Sequence, residues 1–91
     1  MNALPAPSQD ALKILNVLVG QEILRGRELQ WKSSLTDSQK FADAVRQLDG
    51  FEMLQIEGPK NSYDDLCGSF ISLRPSATQL VRYIVRSKAT A

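Results

Sequence analysis

The stretch LTDSQKFADAVRQLDGFEMLQIE, residues 35–57, contains the change of periodicity that decides the fold of this chain. In its first part, apolar residues recur at spacings of three and four, which predicts an amphipathic helix over residues 36–49. After Gly50 the helical spacing stops, and the apolar residues that follow predict a strand over residues 51–57. The segment therefore predicts a helix that is followed directly by a strand.

The beginning of this predicted helix, the third along the chain, has a capping signal. Thr36 and Gln39 have the S/T-x-x-E/Q spacing of a capping box, and Asp37 falls in the first turn, where a negative charge suits the helix dipole. The helical spacing assigns the apolar residues to one side, which we expect to be buried. These residues are Phe41, Ala44, Val45 and Leu48.

Toward the N-terminus, the chain begins with a proline-containing stretch, residues 1–7, in which few side chains require burial, and we expect a loose arm there. Ser8 is a good N-cap residue. The apolar spacing that follows it predicts a first helix over residues 8–20, with a wide apolar side, which Gly20 ends.

The next segment, residues 21–26, is too short for a helix and forms either a brief strand or an extended link. A second helix is predicted over residues 27–33, with Leu29 as its core residue. Trp31, the single tryptophan, lies about 200° around this helix from Leu29, so its side chain should point away from the core. Trp31 is then an exposed aromatic at an interface; the alternative is that it packs in the core.

Toward the C-terminus, residues 58–68 are rich in turn-forming residues and predict a long loop. An alternating pattern over residues 69–73 predicts a second strand, so the two strands form a hairpin with a long tip. Pro75 ends this strand and suits the first turn of a last helix, predicted over residues 76–88. Residues 89–91 are expected to form a frayed tail.

This order of elements resembles that of the winged helix-turn-helix family of DNA-binding domains. The resemblance covers about residues 9–87, and three segments carry it: ILNVLVGQEILRGREL (14–29), LTDSQKFADAVRQLDGFEMLQIE (35–57) and GSFISLRPSATQLVRYIV (68–85). It implies an α+β fold with three core helices, a small antiparallel wing sheet and a C-terminal helix, in a single domain over residues 8–88. It also implies that the third helix is the recognition helix.

Composition excludes several classes of function. The 91 residues suffice for one domain. The absence of histidine removes histidine acid–base chemistry and most zinc sites, and a single cysteine, Cys67, forms neither an internal disulfide nor a thiolate metal site. No stretch is long and apolar enough to span a bilayer, and no secretory signal is visible, so we expect a cytoplasmic protein without a membrane partner. Without a phosphate-binding glycine loop or a nucleophile motif, we expect neither an enzyme nor a cofactor, and we expect Cys67 to be inert.

The resemblance implies DNA-binding residues on the side of the third helix that is opposite its buried residues. Thr36, Gln39 and Arg46 belong to this side, and Lys40 lies on one flank. Glutamine and arginine side chains pair with the edges of adenine and guanine in the major groove, and lysine binds phosphate. Double-stranded DNA is therefore the first partner that we expect.

Further DNA contacts are implied outside the third helix. Arg25 and Arg27 flank the start of the second helix, which commonly contacts phosphate in this fold, and Lys60 and Asn61 lie in the wing loop. In the same loop, Tyr63 and Leu66 either fold back onto the domain or meet a partner.

The local charge argues against DNA. From Thr36 to Glu57 there are two basic and five acidic residues, a net charge of −3, and Asp43 falls near the centre of the proposed docking face. The alternative function is a winged-helix protein–protein interaction module that does not bind DNA, with Trp31 or the third helix as its contact surface.

The first and last helices both carry wide apolar stripes, which suits a homodimer in which terminal helices pair across a two-fold axis. We expect Val81 or Val85 at that interface. A dimer would also place two recognition helices about one DNA turn apart. The alternative is that the two helices pack on each other within one chain.

Overall fold

The chain folds into five helices and a three-stranded antiparallel sheet within residues 7–21 and 23–89, which are the residues that the computed structural model describes. The predicted α+β class is therefore confirmed. The predicted arm over residues 1–7 and the predicted tail over residues 89–91 fall almost entirely outside this part of the chain. The elements are α1 (Gln9–Val19), β1 (Leu24–Arg25), α2 (Gly26–Lys32), α3 (Ser38–Gly50), β2 (Leu54–Glu57), α4 (Tyr63–Gly68), β3 (Phe70–Leu73) and α5 (Thr78–Ala89), the last preceded by a 3-10 turn over Pro75–Ala77.

Helix α1 begins and ends where the sequence indicates. The Ser8 hydroxyl accepts a hydrogen bond from the Ala11 N–H at 3.2 Å, and Gly20 is the C-cap residue. One side of the helix is completely buried by the rest of the chain. The buried residues are Ala11, Ile14, Leu15 and Leu18.

The N-cap of α3 is Asp37, and the predicted Thr36–Gln39 capping box is wrong. The Asp37 carboxylate accepts from the backbone N–H groups of Gln39 at 2.9 Å and Lys40 at 3.1 Å. A carboxylate is a stronger acceptor at the positive end of a helix than a hydroxyl, so Asp37 takes the cap position. Thr36 therefore precedes the helix.

The C-terminal end of α3 shortens the following strand relative to the prediction. The Met53 N–H donates to the Leu48 carbonyl and the Glu52 N–H donates to the Asp49 carbonyl, which is the Schellman arrangement. Glu52 occupies the left-handed region with a φ of 60°, where glycine is the usual residue. Because residues 51–53 are used for this cap, β2 begins at Leu54 and not at residue 51.

The turn between α2 and α3 closes in the same way. Ser34 has a φ of 63°, and the Leu35 N–H donates back to the Gln30 carbonyl at 3.3 Å. Leu35 is buried, so the turn is attached to the core as well as to the end of α2. The angle between the two helices is thus fixed by backbone hydrogen bonds and one apolar side chain.

The sheet has the strand order β1-β3-β2, and both pairs are antiparallel. Leu24 pairs with Ile71, and both side chains are buried on the inner face. The neighbouring positions carry Arg25, Phe70 and Glu57, which are side by side on the outer face and exposed. The segment that the sequence left open as a strand or a link is therefore a short strand at one edge of the sheet.

Helix α4 replaces most of the long loop predicted over residues 58–68. The Ser62 hydroxyl accepts from the Asp65 N–H at 3.2 Å, and the Asp65 carboxylate accepts from the Asn61 N–H at 3.3 Å. Leu66 and Cys67 then point into the core and are buried. The hairpin tip is accordingly a compact helix that packs on α2 and α3.

The contact between α4 and α2 is made through backbone atoms at Gly26. The Gly26 N–H donates to the Ser69 carbonyl at 2.8 Å, and a Cβ atom at Gly26 would overlap the carbonyl group of Leu66. The Ser69 hydroxyl, itself buried, lies within hydrogen-bond distance of the Pro59 and Asp65 carbonyl oxygens. Together these contacts hold both ends of the hairpin tip against the start of α2.

Helix α5 packs on α1 within the same chain, so the two apolar stripes cover each other. Val81 is completely buried within the chain, so of the two residues predicted at a dimer interface Val85 alone keeps exposed surface. Val85 is half-buried and packs against the same core. None of the helices described by the structure combines the length and the apolar character that crossing a bilayer requires.

We expect Gly26→Ala to lower the free energy of unfolding by about 1–3 kcal/mol, because α2 and α4 must move apart to admit the new methyl group. Thermal unfolding followed by far-UV circular dichroism measures the change. The matched control is Gly50→Ala, where no atom lies within 4 Å of the added Cβ and a gain of up to about 1 kcal/mol is expected. Equal stability of the two variants would contradict the backbone contact between α2 and α4.

The two possible caps of α3 can be separated by substitution. Asp37→Ala should destabilise the protein by about 0.5–2 kcal/mol, because two backbone N–H groups lose their acceptor. Thr36→Ala should change stability by less than about 0.5 kcal/mol, since no side-chain hydrogen bond to α3 is lost. Urea unfolding curves compare the two variants, and a larger effect at Thr36 would show that the cap is assigned to the wrong residue.

Candidate nucleic-acid interface

The exposed side of α3 carries the polar residues that the sequence assigned to it. Its opposite side packs into the core through Phe41, Val45 and Leu48, all fully buried. Because the helix repeats every 3.6 residues, the polar residues share one outward side. Those exposed to solvent are Gln39, Lys40, Asp43 and Arg46.

Asp43 places a negative charge on this side of α3 and accepts a hydrogen bond from Gln39. The Gln39 side-chain amide donates to the Asp43 carboxylate at 2.8 Å, so this amide is engaged within the helix. A carboxylate at this position repels phosphate, and it also competes with a base edge for the glutamine amide. Lys40 and Arg46 therefore provide the positive charge of this side.

Lys60 and Asn61, which the sequence predicts to contact DNA, are also engaged within the protein. The Lys60 ammonium lies 2.8 Å from the Asp49 carboxylate, and the Arg46 guanidinium donates to the Asn61 carbonyl at 3.4 Å. These side chains line a small cavity of about 160 Å³ between α3 and the start of the hairpin tip. The structure thus brings Arg46, Lys60 and Asn61 together, but the charge of Lys60 is balanced by Asp49.

Arg25 lies apart from the other predicted DNA-binding residues. Its guanidinium carbon is 4.9 Å from the centre of the Phe70 ring, on the outer face of the sheet. This cation–π contact is consistent with the direct pairing of Arg25 and Phe70 across β1 and β3. Arg25 is separated from Arg27, whose side chain borders a different surface.

Arg27 and Thr36 border a cleft with a volume of about 370 Å³. It lies between α2, the turn before α3 and the beginning of α4. Trp31 forms part of its wall and is 82% exposed, as the angle from Leu29 predicts. The other residues that line this cleft, called the Trp31 cleft below, are Gln30, Leu35 and Tyr63.

Tyr63 fixes the base of the Trp31 cleft. Its hydroxyl donates to the Gln30 side-chain carbonyl at 2.6 Å, and its ring meets the Phe41 ring edge-on, with centroids 6.4 Å apart. The interpretation that Tyr63 folds back onto the domain is therefore correct. The sequence pattern did not identify three of these lining residues as site residues: Gln30, Leu35 and Tyr63. The Ser62-x-x-Asp65 capping spacing was the available signal that would have positioned Tyr63 on a helix.

A smaller groove of about 150 Å³ continues from Thr36 to Lys40. Asp10 and Asp37 also line it, so the positive charge along this path is interrupted. The Trp31 cleft differs in that none of the residues lining it is acidic. Cys67, a buried residue of α4, lines neither surface.

No protein family, no curated protein and no solved structure matches this chain.

Proposed function

We propose that this chain is a small winged-helix protein that binds double-stranded DNA, with α3 as the recognition helix in the major groove. The observation that carries the proposal is the arrangement of α3, which follows α2 through a tight turn and turns its whole polar side outward. The β1-β3-β2 sheet order, with a strand between the first two helices and a hairpin after the third, supports the winged-helix assignment.

In this proposal each polar side chain of α3 has a separate task. Arg46 reads a base edge, and Lys40 binds phosphate, because arginine forms paired hydrogen bonds to guanine whereas lysine acts as a point charge. Gln39 reads a base after its amide leaves Asp43. The Lys60–Asp49 pair is exposed enough to exchange partners, since the lysine side chain is 53% exposed.

The second candidate is a winged-helix protein–protein interaction module that does not bind DNA. Two contacts within the proposed DNA-binding surface favour it. The Asp49 carboxylate neutralises the Lys60 ammonium, and the Asp43 carboxylate accepts a hydrogen bond from the Gln39 amide. Since phosphate contacts provide much of the affinity for DNA, these carboxylates weaken binding to any duplex. The two candidates differ in the salt dependence of binding to random duplex DNA.

A homodimer and a cytoplasmic location stay predictions. A dimer that reads two half-sites is expected because one small domain reads only a few base pairs. The dimer surface, however, must lie outside the stripe that α1 and α5 share, since that stripe is buried within the chain.

If α3 enters the major groove, Arg46→Ala should weaken specific binding by about 1–3 kcal/mol and relax the preference at one base pair. Lys40→Ala should weaken binding to all duplexes alike and reduce the slope of log K against log salt by about 1. Fluorescence anisotropy with labelled duplexes measures affinity, and sequencing the bound fraction of a randomised pool measures preference. The control is Arg82→Ala on α5, which removes the same charge from a helix that packs on α1. It should change neither the affinity for DNA nor the base preference. Unchanged binding in both α3 variants would exclude the α3 assignment.

Removal of the carboxylates should strengthen DNA binding. Asp43→Asn and Asp49→Asn should each raise the affinity for random duplex by a few fold at low salt, the second because it releases Lys60 from its ion pair. Glu57→Gln on the outer face of the sheet makes the same change in net charge and serves as the control. A gain of equal size in all three variants would mean that net charge, not the α3 surface, determines binding.

A further inference from the structure

The Trp31 side chain is the most conspicuous exposed apolar group among the described residues, with 82% of its surface in contact with solvent. Burial of a large aromatic side chain is favourable, so a tryptophan held at the surface leaves that free energy available to a ligand. The helix that carries it is anchored by the fully buried Leu29. The indole is therefore presented from a fixed element and not from a mobile loop.

The groups around the indole are polar or cationic. Arg27 lies one helical turn before Trp31, on nearly the same side of α2, and both border the Trp31 cleft with Thr36. Because the side-chain oxygen of Gln30 already accepts from Tyr63, the side-chain amide nitrogen of Gln30 is a donor with no partner in the part of the chain that the structure describes. A planar aromatic surface, one cation, an amide donor and a hydroxyl thus meet in one cleft.

This set of groups matches the chemistry of a nucleotide. Nucleobases stack on tryptophan, arginine binds the adjoining phosphate, and amide and hydroxyl groups pair with base edges. The absence of acidic residues among those lining the cleft removes the repulsion that Asp43 and Asp49 cause on α3. The volume of about 370 Å³ lies within the range of small-ligand clefts.

The bases of a duplex are stacked and paired, so they cannot enter a cleft of this kind unless they leave the helix. We infer that the Trp31 cleft binds an unpaired nucleobase of single-stranded nucleic acid, stacked on the Trp31 indole, with its phosphate at Arg27. The inference rests on the proposed function, since the groove from Thr36 to Lys40 connects this cleft with the α3 surface. Lys13 and Lys40 line this groove beside Asp10 and Asp37, so a strand bound in the cleft approaches the α3 surface along a path of mixed charge.

The test uses Trp31 as its own reporter, because it is the single tryptophan of the chain and a stacked base quenches its fluorescence. Three probes of equal length, about 12 nucleotides, are titrated at about 50 mM salt: a mixed-sequence single strand, the corresponding duplex, and an abasic strand that keeps the phosphates but lacks bases. The single strand should quench Trp31 emission in a saturable way. The abasic strand should bind more weakly and leave the emission unchanged.

Substitutions separate stacking from charge, with affinity measured by anisotropy of labelled strands. Trp31→Ala should weaken binding of the mixed-sequence strand by about 5- to 150-fold and leave the abasic strand and the duplex unaffected, whereas Trp31→Phe should retain most of the affinity. Arg27→Ala should weaken the mixed-sequence and abasic strands alike. Tyr83→Ala, which removes another exposed aromatic side chain on α5, is the matched control. Far-UV circular dichroism checks that each variant is folded.

The outcomes distinguish this inference from the proposed function. Duplex binding that depends on Arg46 and Lys40, without quenching by the single strand, would overturn the inference and leave the proposed function intact. Absence of binding to every probe at low salt would overturn both the inference and the proposed function. Equal effects of Trp31→Ala on the mixed-sequence and abasic strands would also overturn the inference, because stacking requires a base.

Discussion

The close approach of two backbones at Gly26 is the contact on which the rest of this structure depends. It joins the beginning of α2 to the carbonyl of Ser69, directly before β3, and leaves no room for a side chain against Leu66. The same point is where β1 ends, so the register of β1 against β3 follows from it. Through Leu66 and Tyr63 it also places α4 against α2, and this placement forms one wall of the Trp31 cleft. Sheet, hairpin tip and candidate site are thus positioned by one contact.

The sequence predicts a helix end correctly where one nearby residue is clearly the best cap. Helix α1 has one good N-cap residue, Ser8, and one terminal glycine, and both are used. At the start of α3 two residues could serve as the cap, and spacing alone selected Thr36, whereas the stronger acceptor, Asp37, is used. At its end, the left-handed backbone at Glu52 could not be expected from a residue that rarely adopts it.

Features that depend on contacts between residues distant in sequence were harder to predict. The direction of Trp31 followed from its angle to Leu29, but the cleft beside it depends on Tyr63, which lies 33 residues from its partner Gln30. Helix α4 is short and begins among turn-forming residues, so its two buried residues, Leu66 and Cys67, show too little periodicity to identify it. The apolar stripes on α1 and α5 were identified correctly, yet a stripe does not reveal whether its partner belongs to the same chain.

The packing of α5 on α1 has a consequence for how the protein is made. About 60 residues separate the end of α1 from the beginning of α5, so α1 is synthesised long before the helix that covers it. Until α5 emerges from the ribosome, part of the apolar side of α1 has no native neighbour, and closing the domain requires a contact between distant parts of the chain. Folding is therefore completed only after translation of α5, and in the interval the nascent chain presents an apolar helix surface of the kind that chaperones bind.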